Sequence, residues 1–344
     1  MTSIAIIGGG YAGSLLAREL DAHLDVTLIE PRDAFIHNVA AMRAVVEPSL
    51  VDQIVLPYDK LLKRGRVVRD RAVGLGDGVI QLASGAQVRA ELIVAATGSH
   101  YGAPFKPRSD DSADFRKAIA KSHAELVAAR SVAIIGAGPV GLELAGEIAH
   151  VHADKAVTLY CAETRLMPAF PAKYGQRLER ELAKAGVKLV KGQRVDDPAS
   201  LGADMVFPAI GAQIENTLVK GLGLELDGIG RVRADRWMRL PNRPKTFVLG
   251  DLAGCGDQPT IVALIRQAAW MTKLLKAHAA GQAVEKLKPY APYPLQPILI
   301  PIGPNGGASF MPMFGGLVLG AGPTRAIKGK TLFIPRYRKE FGLA

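Results

Sequence analysis

The sequence contains few cysteines and no long apolar run. Cys161 and Cys255 are its two cysteines in 344 residues, too few for a disulfide framework. Glycine, proline or charged residues interrupt each apolar stretch before it reaches the roughly 18 residues of a membrane span. The first apolar run starts at Ser3, which leaves no room for a secretory signal. These absences predict a cytoplasmic protein that does not cross a membrane.

Acidic residues are also fewer than basic ones. The chain has 43 Lys and Arg against 32 Asp and Glu, a formal net charge of +11. Such an excess favours anionic partners, such as dinucleotides, acidic lipid surfaces or nucleic acid. The basic stretches carry no zinc-ligand spacing and no nucleic-acid-binding motif, so we expect neither a metal nor a nucleic acid. The length suits two or three domains.

A strand, a glycine-rich turn and a helix occur near the start of the chain. The sequence IAIIGGGYAG, residues 4–13, places Gly8, Gly10 and Gly13 in a G-x-G-x-x-G pattern after an apolar run. In this pattern the glycines allow a tight turn, the close approach of a pyrophosphate and close helix packing. The helix N-terminus at Tyr11 points free N–H groups at the phosphates. Glu30 follows 20 residues after Gly10, where a carboxylate can accept the hydroxyls of an adenosine ribose.

The same pattern returns in the middle of the chain. VAIIGAGPVG, residues 132–141, has its glycines at 136, 138 and 141, and Pro139 suits the first turn of a helix. Cys161 stands in the place that Glu30 has in the first copy, and Glu163 and Arg165 follow. Two dinucleotides are therefore expected, held in different ways.

Further strands lie around these two motifs. The ranges 66–73, 79–82 and 87–94 read as short strands that lead to Ala96-Thr97-Gly98. Residues 101–112 are rich in proline, glycine and charge, which is typical of a linker that leaves a domain. Residues 204–211 repeat the strand ending, and 246–251 form a third strand that ends in Gly250-Asp251. A helix is predicted over 260–281.

The order of these motifs resembles the two-dinucleotide flavoproteins of the pyridine nucleotide–disulfide oxidoreductase fold. GGGYAG with Glu30 resembles their FAD site, GAGPVGLELAGEI their inserted NAD(P)H domain, and LGD at 249–251 their flavin-ribityl motif. The resemblance implies an α/β fold with two Rossmann-like domains. The FAD-binding domain, residues 1–103 and 226–288, is split by an NAD(P)H-binding domain, residues 104–225. A small α+β C-terminal domain covers residues 289–344.

The resemblance also implies which residues hold each cofactor. Those expected at FAD are Gly8, Gly10, Tyr11, Ala12, Gly13, Glu30, Pro31, Arg32, Asn38, Val39, Ala96, Thr97, Gly98, Gly250, Asp251, Thr260 and Gln267. Those expected at NAD(P)H are Gly136, Gly138, Pro139, Val140, Gly141, Glu143, Cys161, Glu163, Arg165 and Gly211. The candidates nearest the flavin ring are His37, Asn38 and Gln267, with a structural histidine as the alternative for His37 and a surface acid as the alternative for Glu143.

The electron acceptor is constrained by a missing cysteine pair. Disulfide reductases carry C-x4-C early in the first domain, whereas residues 35–47, FIHNVAAMRAVVE, contain no thiol, which excludes a dithiol relay. This stretch and PIGPNGGAS, residues 301–309, resemble the apoptosis-inducing-factor-like NAD(P)H:quinone oxidoreductases of the ferroptosis-suppressor branch, relatives of type II NADH dehydrogenases. The resemblance implies a quinone-like acceptor. Two alternatives stay open: a reductase of a small iron–sulfur protein such as ferredoxin or rubredoxin, and a slow redox-sensing flavoprotein.

The second ribose position bears on the choice of reductant. Cys161 does not repel a 2′-phosphate, and Arg165 could attract one, whereas Glu163 could accept ribose hydroxyls. We therefore expect weak discrimination between NADH and NADPH. The alternative is that Glu163 selects NADH alone.

Two features near the end of the chain suggest further contacts. An adaptable apolar lining for a planar acceptor, or simply core, is expected from Phe310, Met311, Met313 and Phe314. The tail, residues 325–341, interleaves six basic residues with Leu332, Phe333, Ile334, Tyr337 and Phe341. It could hold the protein on an anionic membrane surface, such as the cytoplasmic face of a membrane. The alternative is a strand at 331–334 whose basic neighbours face water.

Overall fold

The first hundred residues form most of one nucleotide-binding domain. The computed structural model describes residues 1–102, 104–107, 109–313 and 315–343. Apart from short 3₁₀ turns, the elements of this part are β1 (Ser3–Ile7), α1 (Tyr11–Leu20), β2 (Asp25–Ile29), β3 (Ala34–Ile36), α2 (Ala41–Val46), α3 (Val51–Ile54), β4 (Val55–Pro57), β5 (Arg66–Val68), β6 (Ala72–Leu75), β7 (Val79–Leu82), β8 (Gln87–Arg89), β9 (Leu92–Ala95) and β10 (Ser99–His100).

The middle of the chain repeats the strand–turn–helix unit. Its elements are α4 (Ser112–Ala128), β11 (Ser131–Ile135), α5 (Pro139–Val151), β12 (Ala156–Cys161), α6 (Ala172–Lys184), β13 (Lys188–Lys191), β14 (Met205–Pro208), β15 (Gln213–Ile214) and α7 (Thr217–Lys220).

The remainder completes the first domain and adds a small sheet. Its elements are β16 (Arg239–Leu240), β17 (Arg243–Val248), α8 (Ile261–Ala279), β18 (Ile298–Ile302), β19 (Gly306–Met311), β20 (Leu317–Leu319), α9 (Ala321–Thr324), a π-helical turn over Arg325–Gly329, and α10 (Ile334–Glu340).

Parallel sheets form the centre of both nucleotide-binding units. The first sheet has the order β16-β17-β9-β1-β2-β5, and the second has the order β13-β12-β11-β14. The apolar runs of β1 and β11 are buried because helices cover both faces of a parallel sheet. β18, β19 and β20 form a separate antiparallel sheet. The expected α/β class, with two Rossmann-like units and a small C-terminal unit, is confirmed.

The chain crosses between the two units along one short ribbon. β10, on the way out, pairs antiparallel with β15, on the way back, through Ser99 with Ile214 and His100 with Gln213. The backbone N–H of Glu215 donates to the carbonyl of Gly98 at 2.9 Å. The two segments that cross between the units are therefore hydrogen-bonded to each other, next to the Ala-Thr-Gly turn.

The C-terminal sheet shares a core with the inserted unit. Ile134, Leu182 and Ile302 belong to one buried apolar cluster, to which α2 contributes Val45. α5 passes so close to β18 that a Cβ at Gly146 would overlap the backbone N of Gly303. The second unit is thus clamped between α2 and the C-terminal sheet.

Three strand predictions need correction. The predicted strands at 66–73 and 87–94 each break in two, because β5 and β9 join the large sheet whereas β6 and β8 pair with β7. The partners change at turns: Asp70 accepts from the backbone of Arg71, and the N–H of Glu91 donates to the Ser3 hydroxyl. The predicted strand at 331–334 is also wrong, because Leu332 and Phe333 adopt positive φ and α10 begins at Ile334.

Candidate functional site

A cleft of about 440 Å³ lies at the carboxyl ends of the parallel strands in the large sheet. Ligands of open α/β sheets bind at this edge. The residues expected at FAD that line it are Gly8, Gly10, Tyr11, Ala12, Glu30, Pro31, Arg32, Asn38, Ala96, Thr97, Gly98, Gly250 and Asp251. Most of the expected FAD residues therefore come together on one wall.

The three glycines of the first turn have different structural roles. Gly8 has φ +103°, and a Cβ there would overlap the carbonyl of Ala96. A Cβ at Gly13 would overlap the carbonyl of Gly8, so Gly13 lets α1 pack against the turn. At Gly10, in contrast, no heavy atom of the described neighbours lies within 4 Å of an added Cβ. The open space is where a phosphate can reach the backbone, as the motif requires.

Glu30 is held at the wall of this cleft. Its carboxylate accepts from the backbone N of Gly9 at 2.5 Å and from Arg32 Nε at 2.7 Å and Nη2 at 2.8 Å. Burial alone would raise the pKa of Glu30, but the hydrogen bonds and charge of Arg32 outweigh burial and keep this pKa below its ordinary value. Glu30 is therefore ionised. Its two oxygens accept four hydrogen bonds, the fourth from the backbone N of Arg32 at 3.0 Å, so a ribose hydroxyl would have to share an oxygen or displace one of these donors.

Asp251 belongs to a polar network that the sequence did not reveal. Ser99 Oγ donates to Asp251 Oδ2 at 2.6 Å, and Lys106 Nζ donates to Ser99 Oγ at 2.8 Å. Burial lowers the pKa of Lys106, and the charge of Asp251 partly opposes this. All three residues line the cleft. The sequence did not predict a role for Lys106, because it lies in a stretch without periodicity that is typical of a linker.

Asn38 provides a test of whether this cleft fits FAD. Its Oδ1 is buried and has no hydrogen-bond partner among the described residues, a costly state unless a ligand or water supplies a donor. Asn38 lines the cleft, as do the open Gly10 and Gly98. The unpaired amide and the side-chain-free backbone both fit a polar, extended ligand such as FAD.

His37 lies behind the cleft wall. Its Nε2 is 2.7 Å from the carbonyl of Leu332, which can only accept, so Nε2 carries the proton. Nδ1 then accepts from the Tyr11 hydroxyl at 2.9 Å. Burial lowers the pKa of His37 to about 4, so the ring is neutral. His37 orients Tyr11, and the geometry matches its alternative as a structural histidine.

Besides Gly13, three residues expected at FAD lie outside the lining of the cleft. Gln267 is buried, accepts from the backbone N of Gly250 at 3.0 Å and donates to Asp257 at 3.1 Å. This corrects its expected contact with the flavin ring, since both ends of the amide are bonded within the protein. Val39 donates its N–H to the Tyr11 hydroxyl, and Thr260 caps α8. These residues support the site from behind.

The second glycine turn has the same geometry as the first. Gly136 has φ +108°, and a Cβ at Gly141 would overlap the carbonyl of Gly136. Around Gly138 and Gly211, no described heavy atom lies within 4 Å of an added Cβ. Pro139 opens α5, and Val140 follows it in the first turn. The turn is shaped for a second phosphate.

The strand register aligns the two ribose positions. Ile7 pairs with Ile29 in the first unit, and Ile135 pairs with Tyr160 in the second. Cys161 therefore occupies the position that corresponds to Glu30. Glu163 occupies the position that corresponds to Arg32. Cys161 is buried, and burial raises the pKa of its thiol. Glu163 is exposed. Its position next to a neutral thiol suits the hydroxyls of a ribose.

Arg165 does not face this ribose position. Its guanidinium donates to the carbonyl of Phe170 at 3.0 Å and also to that of Pro168. The side chain thus braces the loop before α6. The structure favours the alternative in which Glu163 selects NADH.

We accordingly expect NADH to reduce the flavin at least about tenfold faster than NADPH, a difference of about 1.4 kcal/mol. Glu163→Gln should narrow the gap, because it removes the charge that repels a 2′-phosphate. Rapid mixing of each nucleotide with the oxidised protein measures both rates. Glu125→Gln, which changes an exposed acid on α4, is the control. Equal rates in the unmodified protein would restore the expectation of weak discrimination.

Two buried ion pairs connect α5 with other parts of the chain. Glu143 accepts from Lys328 Nζ at 2.6 Å, and these side chains are 5% and 12% exposed. One turn later, Glu147 forms a bidentate pair with Arg43 of α2. Arg43 also donates to the carbonyl of Gly329 at 2.7 Å. Glu143 is therefore not a surface acid, which corrects that alternative.

The described residues of the expected acceptor lining near the end of the chain lie in different surroundings. Phe310 is buried against Phe170 and Tyr174, with ring centroids 5.4 and 6.2 Å away. Met311 is half-buried, and Met313 is 60% exposed. Phe314 lies outside the described residues. Of the three described side chains, Phe310 thus matches the alternative of a core residue, and Met313 faces solvent.

The apolar residues of the tail point inward. Leu332, Ile334, Tyr337 and Phe341 are buried, and Phe341 stacks on Phe35 at 4.7 Å. They cannot settle into lipid in this fold, which corrects that part of the membrane prediction. The exposed side of the tail is mostly basic, and Ile327 is the one large apolar side chain that is exposed among its described residues.

The described residues contain neither a metal site nor a membrane-spanning helix. Within the described ranges, no cluster of His, Cys, Asp and Glu is arranged to hold a metal ion. None of the helices in the same ranges is long and apolar enough to cross a bilayer.

Known proteins support the assignment suggested by this geometry. Apoptosis-inducing factor homolog B of Dictyostelium discoideum is 27% identical and matches 97% of this chain and 95% of its own. Ferroptosis suppressor protein 1 of Xenopus laevis is 24% identical over 98% of this chain and 96% of its own. The sulfide:quinone oxidoreductase of Aquifex aeolicus has the same fold, with a TM-score of 0.74 at 16% identity over 100% of this chain and 92% of its own.

The family model described as pyridine nucleotide-disulphide oxidoreductase matches residues 2–282. The match covers both glycine turns, the Ala-Thr-Gly crossing and the Gly250-Asp251 turn. The cofactors are FAD and NAD(P)H, which fit the two turns described above. The chain therefore belongs to the pyridine nucleotide-disulphide oxidoreductase family.

Proposed function

We propose that this protein is an FAD-dependent NAD(P)H oxidoreductase that reduces a quinone-like acceptor without a cysteine relay. The observation that carries the proposal is the fold of residues 38–46, where disulfide reductases have their cysteine pair. Here the stretch forms a 3₁₀ turn and α2 and contains no thiol.

The two cysteines elsewhere are poorly suited to carry electrons. Cys161 is buried at the end of β12. Cys255 accepts a hydrogen bond from Gln267 at 3.3 Å, and burial raises the pKa of its thiol to about 11. The thiolate is the reactive form, so both groups are nearly inert at neutral pH. The state of both thiols thus supports an oxidoreductase that works without a cysteine relay.

The chain itself binds and orients the reactants. Bound FAD supplies the redox chemistry by taking up hydride from NAD(P)H and releasing electrons. Glu30 and Gly10 would hold the adenosine and the phosphates, while Asp251, Ser99 and Lys106 would hold the ribityl chain. The Glu143–Lys328 pair fixes the first turns of α5, where the second dinucleotide begins.

Relatives favour a quinone over other acceptors. The chain resembles, over nearly its whole length, ferroptosis suppressor protein 1, whose branch the sequence motifs also indicate. The protein of the same fold from Aquifex aeolicus reduces quinone, as its name states. A small acidic iron–sulfur protein is the second candidate, because the net charge of +11 would attract it.

Steady-state and rapid-mixing kinetics test the proposal. The purified protein should show a flavin spectrum that NADH bleaches without oxygen. A soluble short-chain quinone should restore the oxidised spectrum over many turnovers. Efficient reoxidation by ferredoxin or rubredoxin but not by quinone would favour the second candidate, and bleaching without reoxidation by either would favour a sensor.

A cytoplasmic location stays a prediction, as does peripheral contact with a membrane. A quinone with a long isoprenoid tail stays in the bilayer, so its reductase must reach lipid. The buried apolar residues of the tail cannot reach lipid, so any lipid contact would use exposed side chains.

A further inference from the structure

A surface groove of about 790 Å³ lies between α1 and α8 and ends at α10. It is separate from the FAD cleft, and we refer to it as the α1–α8 groove. Its lining consists of Leu15, Arg18, Glu19, Ile265, Ala269, Thr272, Lys273, Lys276, Ala277 and Arg336. The mixture of apolar and basic side chains sets it apart from an ordinary solvated helix face.

Helical spacing produces this mixture on α8. Ile265, Ala269, Thr272 and Lys276 recur at three or four residues and therefore share one side of the helix. The opposite side, which includes Met271 and Leu275, is buried in the core. Along the groove, apolar residues thus lie towards the start of α8 and lysines towards its end.

Charge in the groove is predominantly positive. Arg18, Lys273, Lys276 and Arg336 are its cations, against Glu19 in the lining and Glu340 beside it. Glu340 is shared, because it pairs with Arg18 at 3.2 Å and with Arg336 at 2.9 Å. Lys273 is exposed and has no ion-pair partner in the part of the chain that the structure describes. Positive charge therefore remains available to an anionic ligand.

The tail extends this basic surface. Because Ile334, Tyr337 and Phe341 point into the core, α10 turns Arg336 and Lys339 to the outside. Arg336 is at once the end of the groove and part of the tail. The basic residues noted in the sequence thus join those of α8 on one face, formed by segments more than 50 residues apart.

We propose that the α1–α8 groove docks on a bilayer surface that contains acidic phospholipids. The phosphates of lipid headgroups contact the lysines and arginines, while part of an acyl chain lies against Leu15, Ile265 and Ala269. Headgroup phosphates attract basic groups at the membrane surface, and long basic side chains keep their charge in the headgroup layer while their stems touch apolar chains.

The apolar floor favours lipid over an acidic protein or a free anion. A phosphate ion or a carboxylate cluster needs only the cations and gains nothing from the side chains of Leu15 and Ile265. A lipid satisfies both halves of the groove. Docking needs no turnover, so the inference can fail while the proposed reaction stands, and the reverse also holds.

Vesicle sedimentation with the full, FAD-loaded protein tests the inference. Binding should need acidic lipid and weaken as salt screens the charges. Lys273→Glu combined with Lys276→Glu should lower the fraction bound by roughly tenfold or more, since each basic group contributes about a tenfold factor at most near the surface. Ala269→Asp should also weaken binding, because it charges the apolar floor.

Matched variants separate this face from net charge and from other surfaces. Lys117→Glu with Lys121→Glu makes the same charge change on α4, where both side chains are more than 70% exposed. That control should bind vesicles as the unmodified protein does. Met313→Glu with Leu317→Glu tests the exposed hairpin tip of the C-terminal sheet. All variants should reduce a soluble quinone at unchanged rates.

Three outcomes would overturn the inference. The first is no binding to acidic vesicles at low salt. The second is an equal loss of vesicle binding in the α4 control, which would show that only the net charge of the protein matters. The third is loss in the hairpin variant alone, which would place the lipid contact at the C-terminal sheet. Capture of inorganic phosphate with no affinity for vesicles would likewise contradict it.

Discussion

Replacing Lys328 with methionine should lower the free energy of unfolding by about 3–5 kcal/mol. The change leaves the Glu143 carboxylate buried without its 2.6 Å partner. Burial already raises the pKa of Glu143, and the charge and hydrogen bond of Lys328 oppose this shift most strongly, with a smaller contribution from the charge of Arg43. The unpaired carboxyl must therefore take up a proton or stay charged in an apolar surrounding, and both states cost folding energy.

Denaturant titration of the loaded protein measures this effect. Lys330→Met is the matched control, because Lys330 is two residues away and exposed. The double variant Glu143→Gln, Lys328→Met should regain much of the lost stability, since it removes both charges together. If Lys328→Met unfolds at the same denaturant concentration as Lys330→Met, the pair is not part of the stable core.

The same pair should matter for hydride transfer. It joins the first turns of α5, which carry the second dinucleotide site, to the C-terminal segment. The stability-restored double variant should bleach more slowly with NADH than the unmodified protein, although it is folded. This separates positioning of the nicotinamide from a purely structural role, because stability alone would leave the rate unchanged.

Glu30→Ala should weaken the retention of FAD by on the order of 1.5–3 kcal/mol, as expected for a lost charge-assisted hydrogen bond. The dissociation constant should then rise about 10- to 150-fold. FMN lacks the adenosine that Glu30 is placed to contact, so heat-denatured protein should release FAD. Recovery of FMN would show that the cleft has been misread.

A control is needed because Glu30 also neutralises Arg32. Glu30→Ala leaves the guanidinium without its carboxylate, which by itself can destabilise the fold. The double variant Glu30→Ala, Arg32→Met removes the unpaired guanidinium as well. Because Arg32 also lines the cleft, the FAD affinity of this double variant, measured by fluorescence of released flavin, is compared with that of Arg32→Met alone. It should be lower than in Arg32→Met if Glu30 contacts the ribose, and no lower if Glu30→Ala acts only by damaging the fold.

The sequence by itself determined the fold class and both dinucleotide turns. Gly8, Gly10 and Gly13 occupy positions where backbone geometry admits no other residue or where a ligand must approach, so their spacing is a local signal. Glu30 and Asp251 were readable for a similar reason, since Glu30 directly follows the buried end of β2 and Asp251 lies three residues after the buried end of β17. The end of a parallel strand has a fixed place at the ligand edge of the sheet.

Residues far apart in the chain could only be assigned from the tertiary structure. Lys106 reaches Ser99 and Asp251 from a stretch without periodicity, and Gln267 turns its amide to Gly250 instead of the cleft. The direction of a side chain depends on which neighbours satisfy its hydrogen bonds, and sequence spacing does not contain that information.

The tail shows the same division most clearly. Its alternation of basic and apolar residues was visible in the sequence, but it fitted both a strand and a lipid-facing segment. The structure has a helix whose aromatic residues pack against Phe35 and Tyr11, whereas Arg336 and Lys339 are exposed and Arg336 lies beside α8. Composition determined that the tail is amphipathic. The rest of the fold determined which side of the tail meets the core. It provides an aromatic cavity in which Tyr337 and Phe341 are removed from water, and this burial stabilises the inward orientation.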